Sequence, residues 1–231
     1  MPDISLLQLH IDALFRHDAS GRILTTNETD GTRAPRLFLG RTTAGNLWRF
    51  RDDLPTDLVR ELDAILAKEP ITDDLRHPPA CLTDVSQLLG NHAPIVSIDQ
   101  GPAWYFPDEV TAPYGVIAVP PAPREQLREH FPYLATDLEH RQPCRAVVRD
   151  GAAVSVCFSS RTTGDAAEAG LNTVEAFRRR GYATAVTAAW ALAVRRSGRI
   201  PLYSTSWDNL ASRAVARRLG LILYGADCAI A

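Results

Sequence analysis

Prolines at six positions within residues 101–123 constrain the fold of this 231-residue chain more than any other feature. They are Pro102, Pro107, Pro113, Pro120, Pro121 and Pro123. Each proline fixes φ and removes a backbone N–H donor, so a run this dense breaks regular secondary structure. The chain is also near the upper length for a single hydrophobic core. We therefore predict an N-terminal α+β accessory region over residues 1–100, a connector over 101–123 and a second domain over 124–231.

Composition and charge exclude several classes of protein. Hydrophobic residues make up 45% of the chain and charged residues 23%, which is typical of a globular protein and not of a disordered one. The formal net charge of -2 gives no electrostatic reason to expect nucleic-acid binding. No apolar run is long enough to cross a membrane, and the N-terminus lacks a basic segment followed by an apolar one. We expect a cytoplasmic protein without a membrane partner.

The cysteines and histidines do not form a recognisable site. Cys81, Cys144, Cys157 and Cys228 are far apart and include no C-x-x-C pair, so we expect reduced and mostly buried thiols. The six histidines are scattered and no two have the spacing of zinc ligands. We therefore expect no metal site.

Short apolar runs separated by turns predict hairpins in the N-terminal region. Residues 13–17 and 22–26 flank one turn, and residues 36–40 and 46–50 flank another that contains Gly45. Apolar residues at helical spacing over 56–68 predict an amphipathic helix with Thr56 as its N-cap. Trp104, Tyr105 and Phe106 in the connector either line a pocket or pack the connector onto a domain.

The second region has a mixed α/β pattern. It predicts helix over 124–140 with an interruption near Pro132, and a long helix over 178–196 followed by another over 208–219. Strands are predicted at 145–149, 152–159, 166–174, 202–205 and 221–224, the first two as a hairpin around Asp150 and Gly151.

The segment over residues 173–184 is the most informative for function. A strand ends at Val174, a basic loop follows, and a helix begins at or near Gly181. Gly181 and Ala183 leave the backbone open, so successive N–H groups can converge on an anion at the helix N-terminus. A pyrophosphate suits such a site, although a run of arginines also fits a solvated surface.

A second strand-to-helix unit follows over residues 203–220. Asp208, Asn209 and Ser212 stand at the start of its helix, and Gly220 is a C-terminal stop signal. Helix capping alone explains Asp208 or Asn209 without any function.

Together, these two units resemble the GNAT superfamily of acyl-CoA-dependent N-acyltransferases. Arg178, Gly181 and Ala183 fit the family's pyrophosphate-binding signature, and Asn209, Ser212 and Gly220 fit its downstream pattern. The resemblance covers roughly residue 123 to the C-terminus and is strongest with the glycine-acyltransferase-like subgroup. It implies an α/β (α+β) fold with a mixed, mostly antiparallel central sheet flanked by helices, here with an N-terminal β-hairpin and helix extension.

The resemblance also assigns binding roles to particular residues. The end of the strand before the loop, including Thr173 and Val174, would pair with the pantetheine arm of acyl-CoA, and Asn209, with Ser212, would lie near it. Arg213, Arg217 and Arg218 either contact the nucleotide phosphate or form a solvated helix face. The pyrophosphate would be held by the loop and the helix start, namely Arg178, Arg179, Arg180, Gly181, Tyr182, Ala183 and Thr184.

The catalytic assignment leaves alternatives open. Many family members carry a glutamate at the position of Glu168, where it is either the general base or a structural partner. Ala216 stands where many members have a tyrosine that protonates the leaving thiolate. Tyr203, Ser206 and Tyr224 are the candidates to replace it, unless the thiolate leaves unassisted.

The resemblance implies an N-acetyltransferase that moves an acetyl or other short acyl group from acetyl-CoA to a small-molecule amine, as a monomer or homodimer. A non-catalytic acyl-CoA sensor and a protein N-acetyltransferase are the alternatives. The accessory region either extends the catalytic sheet or forms a lid over the acceptor pocket.

Overall fold

The computed structural model describes residues 1–111, 113–122 and 124–231. The chain forms two compact units: the first comprises Met1–Trp104, Ser204–Leu210 and Leu223–Ala231, the second Tyr105–Tyr203 and Ala211–Ile222. The first unit therefore includes segments from the far end of the chain. Ala112 and Pro123 of the predicted connector lie outside the described residues, and the boundaries drawn from the sequence stay a prediction.

The first unit contains three helices and a four-stranded sheet. Helices α1 (Asp3–Leu14), α2 (Thr56–Leu66) and α3 (Leu82–His92) accompany a small hairpin of β1 (Phe15–His17) and β2 (Ile23–Thr26). The larger sheet has the order β4-β3-β11-β5. Its strands are β3 (Leu37–Thr42), β4 (Gly45–Phe50), β5 (Ile98–Tyr105) and β11 (Ile222–Ile230).

Alternate residues of β3 face two different sets of helices. Leu37 and Leu39 pack with buried residues of α2 and α3, including Leu62 and Leu89. On the other face, Gly40 lies directly under Leu7 of α1, where an added Cβ would come within 2.4 Å of a Leu7 methyl carbon. The period of two that is typical of a strand therefore builds a helix–sheet–helix sandwich within this unit.

Both predicted hairpins of this unit are confirmed, with antiparallel pairing of β1 to β2 and of β3 to β4. The helix over 56–68 is confirmed as α2, but Thr56 is its first residue, not its cap, and the helix has no side-chain cap. Sequence reasoning missed α1 because its N-terminus has no side-chain cap and its residues are buried around much of the helix. The predicted strand over 13–17 is therefore shortened to Phe15–His17.

The second unit has a five-stranded sheet of order β10-β9-β8-β7-β6. Its strands are β6 (Ile117–Ala118), β7 (Cys144–Arg149), β8 (Ala152–Thr162), β9 (Ala166–Thr173) and β10 (Ile200–Ser204). The first four are antiparallel neighbours, whereas β9 and β10 are parallel. Its helices are α4 (Pro132–Thr136), α5 (Tyr182–Arg196) and α6 (Leu210–Arg218).

Both faces of this sheet are covered within the unit. Val156 and Phe158 of β8 pack on a buried cluster with Leu134 of α4 and Leu127 of a preceding 3₁₀ turn. The buried Trp190 of α5 donates a hydrogen bond from its indole Nε1 to Ser159 Oγ at 3.2 Å, on the opposite face of β8. The mixed α/β fold with mostly antiparallel strands flanked by helices is thus confirmed.

Two helix predictions in this unit need correction. The helix predicted from 178 begins at Tyr182, because Arg179 and Gly181 have φ values of 62° and 81°, which no α-helix accommodates. The helix predicted over 124–140 is reduced to a 3₁₀ turn at Glu125–Leu127 and the five residues of α4, which begin at Pro132.

Candidate active site

The turn between β9 and α5 is built around two residues in the left-handed region. After β9 ends at Thr173, a 3₁₀ turn (Glu175–Phe177) leads into the basic loop. Arg179 and Gly181 then reverse the chain, and Gly181 is the N-cap of α5. Only glycine adopts such a conformation without penalty, which explains the residue type at the cap.

The three arginines of this loop differ in what they contact. Arg178 donates from Nε to the Thr173 carbonyl at 3.4 Å. Arg180 donates to the Ala176 carbonyl at 3.2 Å, and its guanidinium lies 5.1 Å from the centre of the Phe177 ring. Arg179, by contrast, lines an open cleft. Two of the three arginines thus contact the turn itself, and the third lines the cleft.

The start of α5 offers several polar groups to a ligand. The first N–H groups of a helix have no partner within it, and no side chain caps this one. Thr184 Oγ1 is buried and has no hydrogen-bond partner among the described residues. The N-terminal end of the helix dipole also favours negative charge. These groups fit an anion such as a pyrophosphate.

A cleft of about 570 Å³ lies beside this helix N-terminus. That volume is within the usual range for a small-molecule site. It is lined by Arg179 and Gly181, by Thr184, Ala185 and Ala188 of α5, by Arg218 and Leu219 at the end of α6, and by residues 109–111 with Pro113. Two arginines from different elements therefore face the same space as the helix N-terminus.

The side chains of other predicted binding residues are engaged locally. Tyr182 lies under the Arg149 guanidinium, 4.8 Å from its ring centre, and its hydroxyl accepts a hydrogen bond from Arg149 Nε at 3.2 Å. Thr173 Oγ1 lies 2.8 Å from Ser155 Oγ, and the Val174 N–H donates to the Val154 carbonyl. Ala183 lies in the first turn of α5.

Glu168 is buried in the middle of the sheet of the second unit. It lies on β9 opposite Leu202 of the parallel strand β10, and only 3% of its surface is exposed. Its backbone carbonyl accepts a hydrogen bond from Ser160 Oγ at 3.1 Å. A buried carboxyl group in this position can act either as a base or as a polar anchor within the sheet.

Tyr203, one residue beyond Leu202, has its hydroxyl 2.6 Å from Ser212 Oγ of α6. Burial raises the pKa of the Tyr203 phenol well above its ordinary value, the Ser212 hydrogen bond opposes that increase, and Cys157 and Glu168 add to it. The phenol therefore keeps its proton at neutral pH. The structure brings Tyr203, Ser212 and Glu168 into one electrostatic neighbourhood.

Two predicted site residues, Tyr224 and Asn209, belong to the first unit. Tyr224 on β11 is buried, and its hydroxyl lies 2.6 Å from Nδ1 of the buried His10 of α1. Asn209 follows a turn in which its N–H donates to the Ser206 carbonyl at 3.1 Å. Ala216, at the position where the family pattern has a tyrosine, is itself buried in the second unit.

Sequence reasoning missed the segment over residues 106–111, with Pro113, as part of the site. It was assigned to a connector because of its prolines, and no periodic pattern marks it. Phe106 packs against Trp190 and Tyr203 with ring centres 6.0 and 6.5 Å apart, which favours the packing interpretation of the aromatic run. The sequence leaves Arg218 either as a phosphate contact or as part of a solvated helix face. The structure places it at the cleft.

Neither a metal site nor a spanning helix is found in the described parts of the chain. No group of three or more His, Cys, Asp or Glu residues there could hold a metal ion. No helix there is long and apolar enough to cross a membrane. All four cysteines are buried and free.

The start of α5, the parallel β9–β10 pair and the cleft residues of α5 and α6 lie in the part of the chain that matches a known family. Residues 140–226 match the GNAT acetyltransferase family model. The match covers less than half of the chain, and it includes β9, α5 and α6 with the cleft residues that they supply. No match was found among curated proteins.

Several solved structures of GNAT proteins align with this chain. A GCN5-related N-acetyltransferase from Sphaerobacter thermophilus aligns with a TM-score of 0.50 and 18% identity, over 87% of this chain and 77% of that one. A GCN5-related N-acetyltransferase-like protein from Streptococcus suis aligns at 0.49 and 16%, over 84% of each chain. A GNAT-family protein from Novosphingobium aromaticivorans aligns at 0.47 and 15%, over 59% of this chain and 65% of that one. The Sphaerobacter alignment supports a GNAT fold and no finer assignment.

Proposed function

We propose that this chain is an N-acyltransferase that moves an acetyl or other short acyl group from acyl-CoA to the amine of a small molecule. The observation that carries the proposal is the cleft at the start of α5, where Gly181, Thr184, Arg179 and Arg218 meet. The family match over residues 140–226 supports acyl-CoA as the donor. The glycine-acyltransferase-like subgroup, the cytoplasmic location and the small-molecule acceptor are part of this proposal.

The residues at the cleft fit the pyrophosphate of such a donor. The backbone at Gly181 is open, since a Cβ built there would meet no atom within 4 Å. Thr184 Oγ1 supplies a buried hydroxyl without a partner among the described residues. Arg179 and Arg218 supply positive charge from two sides. When bound, acyl-CoA supplies the thioester whose acyl carbon the amine attacks.

The protein has little chemistry to perform beyond positioning and proton transfer. In one displacement, the amine nitrogen bonds to the acyl carbon, the carbon–sulfur bond breaks, and the electron pair leaves with sulfur. The proton that the nitrogen loses as the neutral amide forms ends on this sulfur, which gives free CoA thiol. Amines like that of lysine titrate near pH 10, so the attacking nitrogen must first lose a proton at neutral pH. We assign this proton to the Glu168 carboxylate, directly or through a water.

Tyr203 is better suited to donating a hydrogen bond than to giving up a proton. Its pKa is raised by burial, whereas an alkyl thiol titrates near pH 8.5. Transfer of the phenolic proton to the thiolate is therefore uphill, and a hydrogen bond from the neutral phenol still stabilises the departing sulfur. Tyr224, the other candidate acid, has its hydroxyl against His10.

Ala216 favours a second candidate function, a module that binds acyl-CoA without turnover. A methyl group at this position can donate neither a proton nor a hydrogen bond. The distinguishing experiment incubates the protein with acetyl-CoA and a panel of small amines and peptides, and measures free CoA. Release of CoA with one amine class supports the enzyme and identifies the acceptor; release with peptides alone makes it a protein N-acetyltransferase. Tight binding without release across the panel would support the sensor.

With an acceptor in hand, Glu168→Gln tests the base. We expect kcat/KM to fall about 100-fold at pH 6.5, with a smaller loss toward pH 9, because the free amine is then abundant without help. Affinity for acetyl-CoA should not change. Glu139→Gln, at an exposed glutamate, is the matched control. Normal rates for Glu168→Gln across this pH range would contradict the assignment and leave Glu168 a structural role.

A further inference from the structure

Arg195 holds the backbone of residues 106–108, just before the residues that form one wall of the cleft. Its guanidinium donates to three consecutive backbone carbonyls: those of Phe106 at 2.8 Å, Pro107 at 2.7 Å and Asp108 at 2.8 Å. Arg195 lies in the last turn of α5. A guanidinium suits this task because its N–H groups point outward in a rigid planar fork.

The side chain of Phe106 also holds the start of this segment in place. Its side chain is 1% exposed and contacts the rings of Trp190 and Tyr203. The backbone of residues 106–108 is therefore held both by packing and by hydrogen bonds. No helix or strand holds residues 106–111, so these contacts define where the segment starts.

The far end of the segment lies beside the opposite end of α5. Glu109, Val110, Thr111 and Pro113 line the cleft with Gly181 and Thr184. Along an α-helix, the eleven residues from 184 to 195 rise about 16 Å. Residues 106–108 are therefore held at the C-terminal end of α5, whereas residues 109–111 and Pro113 line the cleft with residues at its N-terminal end.

We infer that Arg195 is a positioning residue for donor binding: by fixing residues 106–108, it sets the wall formed by residues 109–111 and Pro113 against the N-terminal end of α5. This inference rests on the proposed function, since the cleft must hold the nucleotide end of acyl-CoA. A wall that is ordered before the ligand arrives lowers the entropy lost on binding. Arg195 itself does not line the cleft.

The test compares Arg195→Met with Arg196→Met in the full chain. Methionine keeps the length and apolar stem of the side chain and removes the donors. Arg196, the next residue and also in the last turn of α5, is exposed and is the matched control. We would measure affinity for CoA and for pantetheine, which lacks the nucleotide, together with amide hydrogen exchange at residues 108–111 and in β8.

We expect Arg195→Met to weaken CoA binding at least tenfold, to change pantetheine binding less than twofold, and to speed exchange at residues 108–111 but not in β8. Arg196→Met should match the wild type in all of these. If Arg195→Met does not fold, Arg195→Lys supplies the same test with a loss of about threefold, since one ammonium group cannot reproduce the fork.

The outcomes separate this inference from the proposal on which it rests. Wild-type affinity for CoA in a folded Arg195 variant would overturn the positioning role and leave the proposed function intact. An equal loss for CoA and pantetheine would also overturn it, because the effect would then be general and not confined to the nucleotide end. Failure of the wild-type protein to bind CoA would overturn both.

Discussion

The proposed site depends most on glycine at position 181. Its φ of 81° places it in the left-handed region, which costs other residues about 1–2 kcal/mol. The protein itself leaves the space beside it open, so a larger side chain there would point toward the cleft and not into neighbouring atoms.

Gly181→Val should therefore separate strain from ligand contact when it is compared with Gly151→Val. Gly151 has a similar φ of 85° and equally open surroundings, but it lies in the turn between β7 and β8, away from the cleft. We expect both variants to lose about 1–2 kcal/mol of unfolding free energy. Only Gly181→Val should lose acetyl-CoA affinity, by at least thirtyfold in calorimetric titration. Equal affinities in the two variants would remove the pyrophosphate from this loop.

Tyr224 is predicted from the sequence as a candidate acid for the leaving thiolate, but its contact with His10 favours a role in stability. Its hydroxyl and the buried His10 form a hydrogen bond that ties β11 to α1. Tyr224→Phe should lower the unfolding free energy in urea by about 1–2 kcal/mol, because the buried imidazole loses its partner for Nδ1. Tyr114→Phe, at a fully exposed tyrosine, should change nothing. Undiminished stability with lost turnover would instead favour a catalytic Tyr224.

The turn at Gly181 and the helix that follows it could be predicted from residue patterns because their signals are local. Gly181 and the basic run are adjacent in sequence, so a backbone argument is enough to predict an anion site there, which stays a prediction. Arg218, residues 109–111 and Pro113 reach the same cleft from distant parts of the chain. No local signal marks such a meeting, and the sequence offered Arg218 only as one of two alternatives.

At the scale of elements, the backbone of the loop that carries Asn209 passes very close to the backbone of β5 within the first unit. A Cβ at Gly101 would lie 1.8 Å from the Thr205 carbonyl oxygen, and the Trp207 N–H donates to the Gln100 carbonyl at 3.1 Å. Glycine in β5 is thus needed for the close approach of another backbone segment.

Gly101→Ala should disrupt this close approach, because the backbone has to move by more than 1 Å to admit a methyl group. We expect a loss of about 1–3 kcal/mol of unfolding free energy, as for overpacked cores. The control is Gly90→Ala in α3, where a Cβ meets nothing within 4 Å and helix propensity favours alanine. A Gly101→Ala protein as stable as the wild type would show that the close approach is more tolerant than its geometry indicates.

Strand pairs were the elements best predicted from sequence. The turns at Gly45 and at Asp150 with Gly151 bring neighbouring segments together, so both hairpins follow from local chemistry. Helix α1 has no side-chain cap to mark its start, and the apolar run at its end reads equally well as strand. A short apolar run does not distinguish a strand from the end of a helix. The sequence therefore predicts strand at residues 13–14, which the structure shows at the end of α1.

At the scale of the whole molecule, the order of the chain does not follow the two compact units. Strand β11, at the end of the sequence, pairs with β3 near the beginning, with Cys228 opposite Leu39. Long-range pairing of this kind has no signature in a window of residues, so the sequence could support the fold class but not the partition into units. Extension of the catalytic sheet by the accessory region is one of two alternatives that the sequence leaves open, and no residue pattern predicts that β11 pairs with β3.

The central claim is that acyl-CoA binds at the start of α5, and the most direct test combines two observations on the wild-type protein. Acetyl-CoA would be titrated by calorimetry, and amide hydrogen exchange would be followed with and without it. We predict micromolar affinity, equivalent to about -8 kcal/mol, and slower exchange at residues 179–185. Absence of binding by folded protein, or protection confined to Met1–Trp104, would contradict the assignment of the donor site.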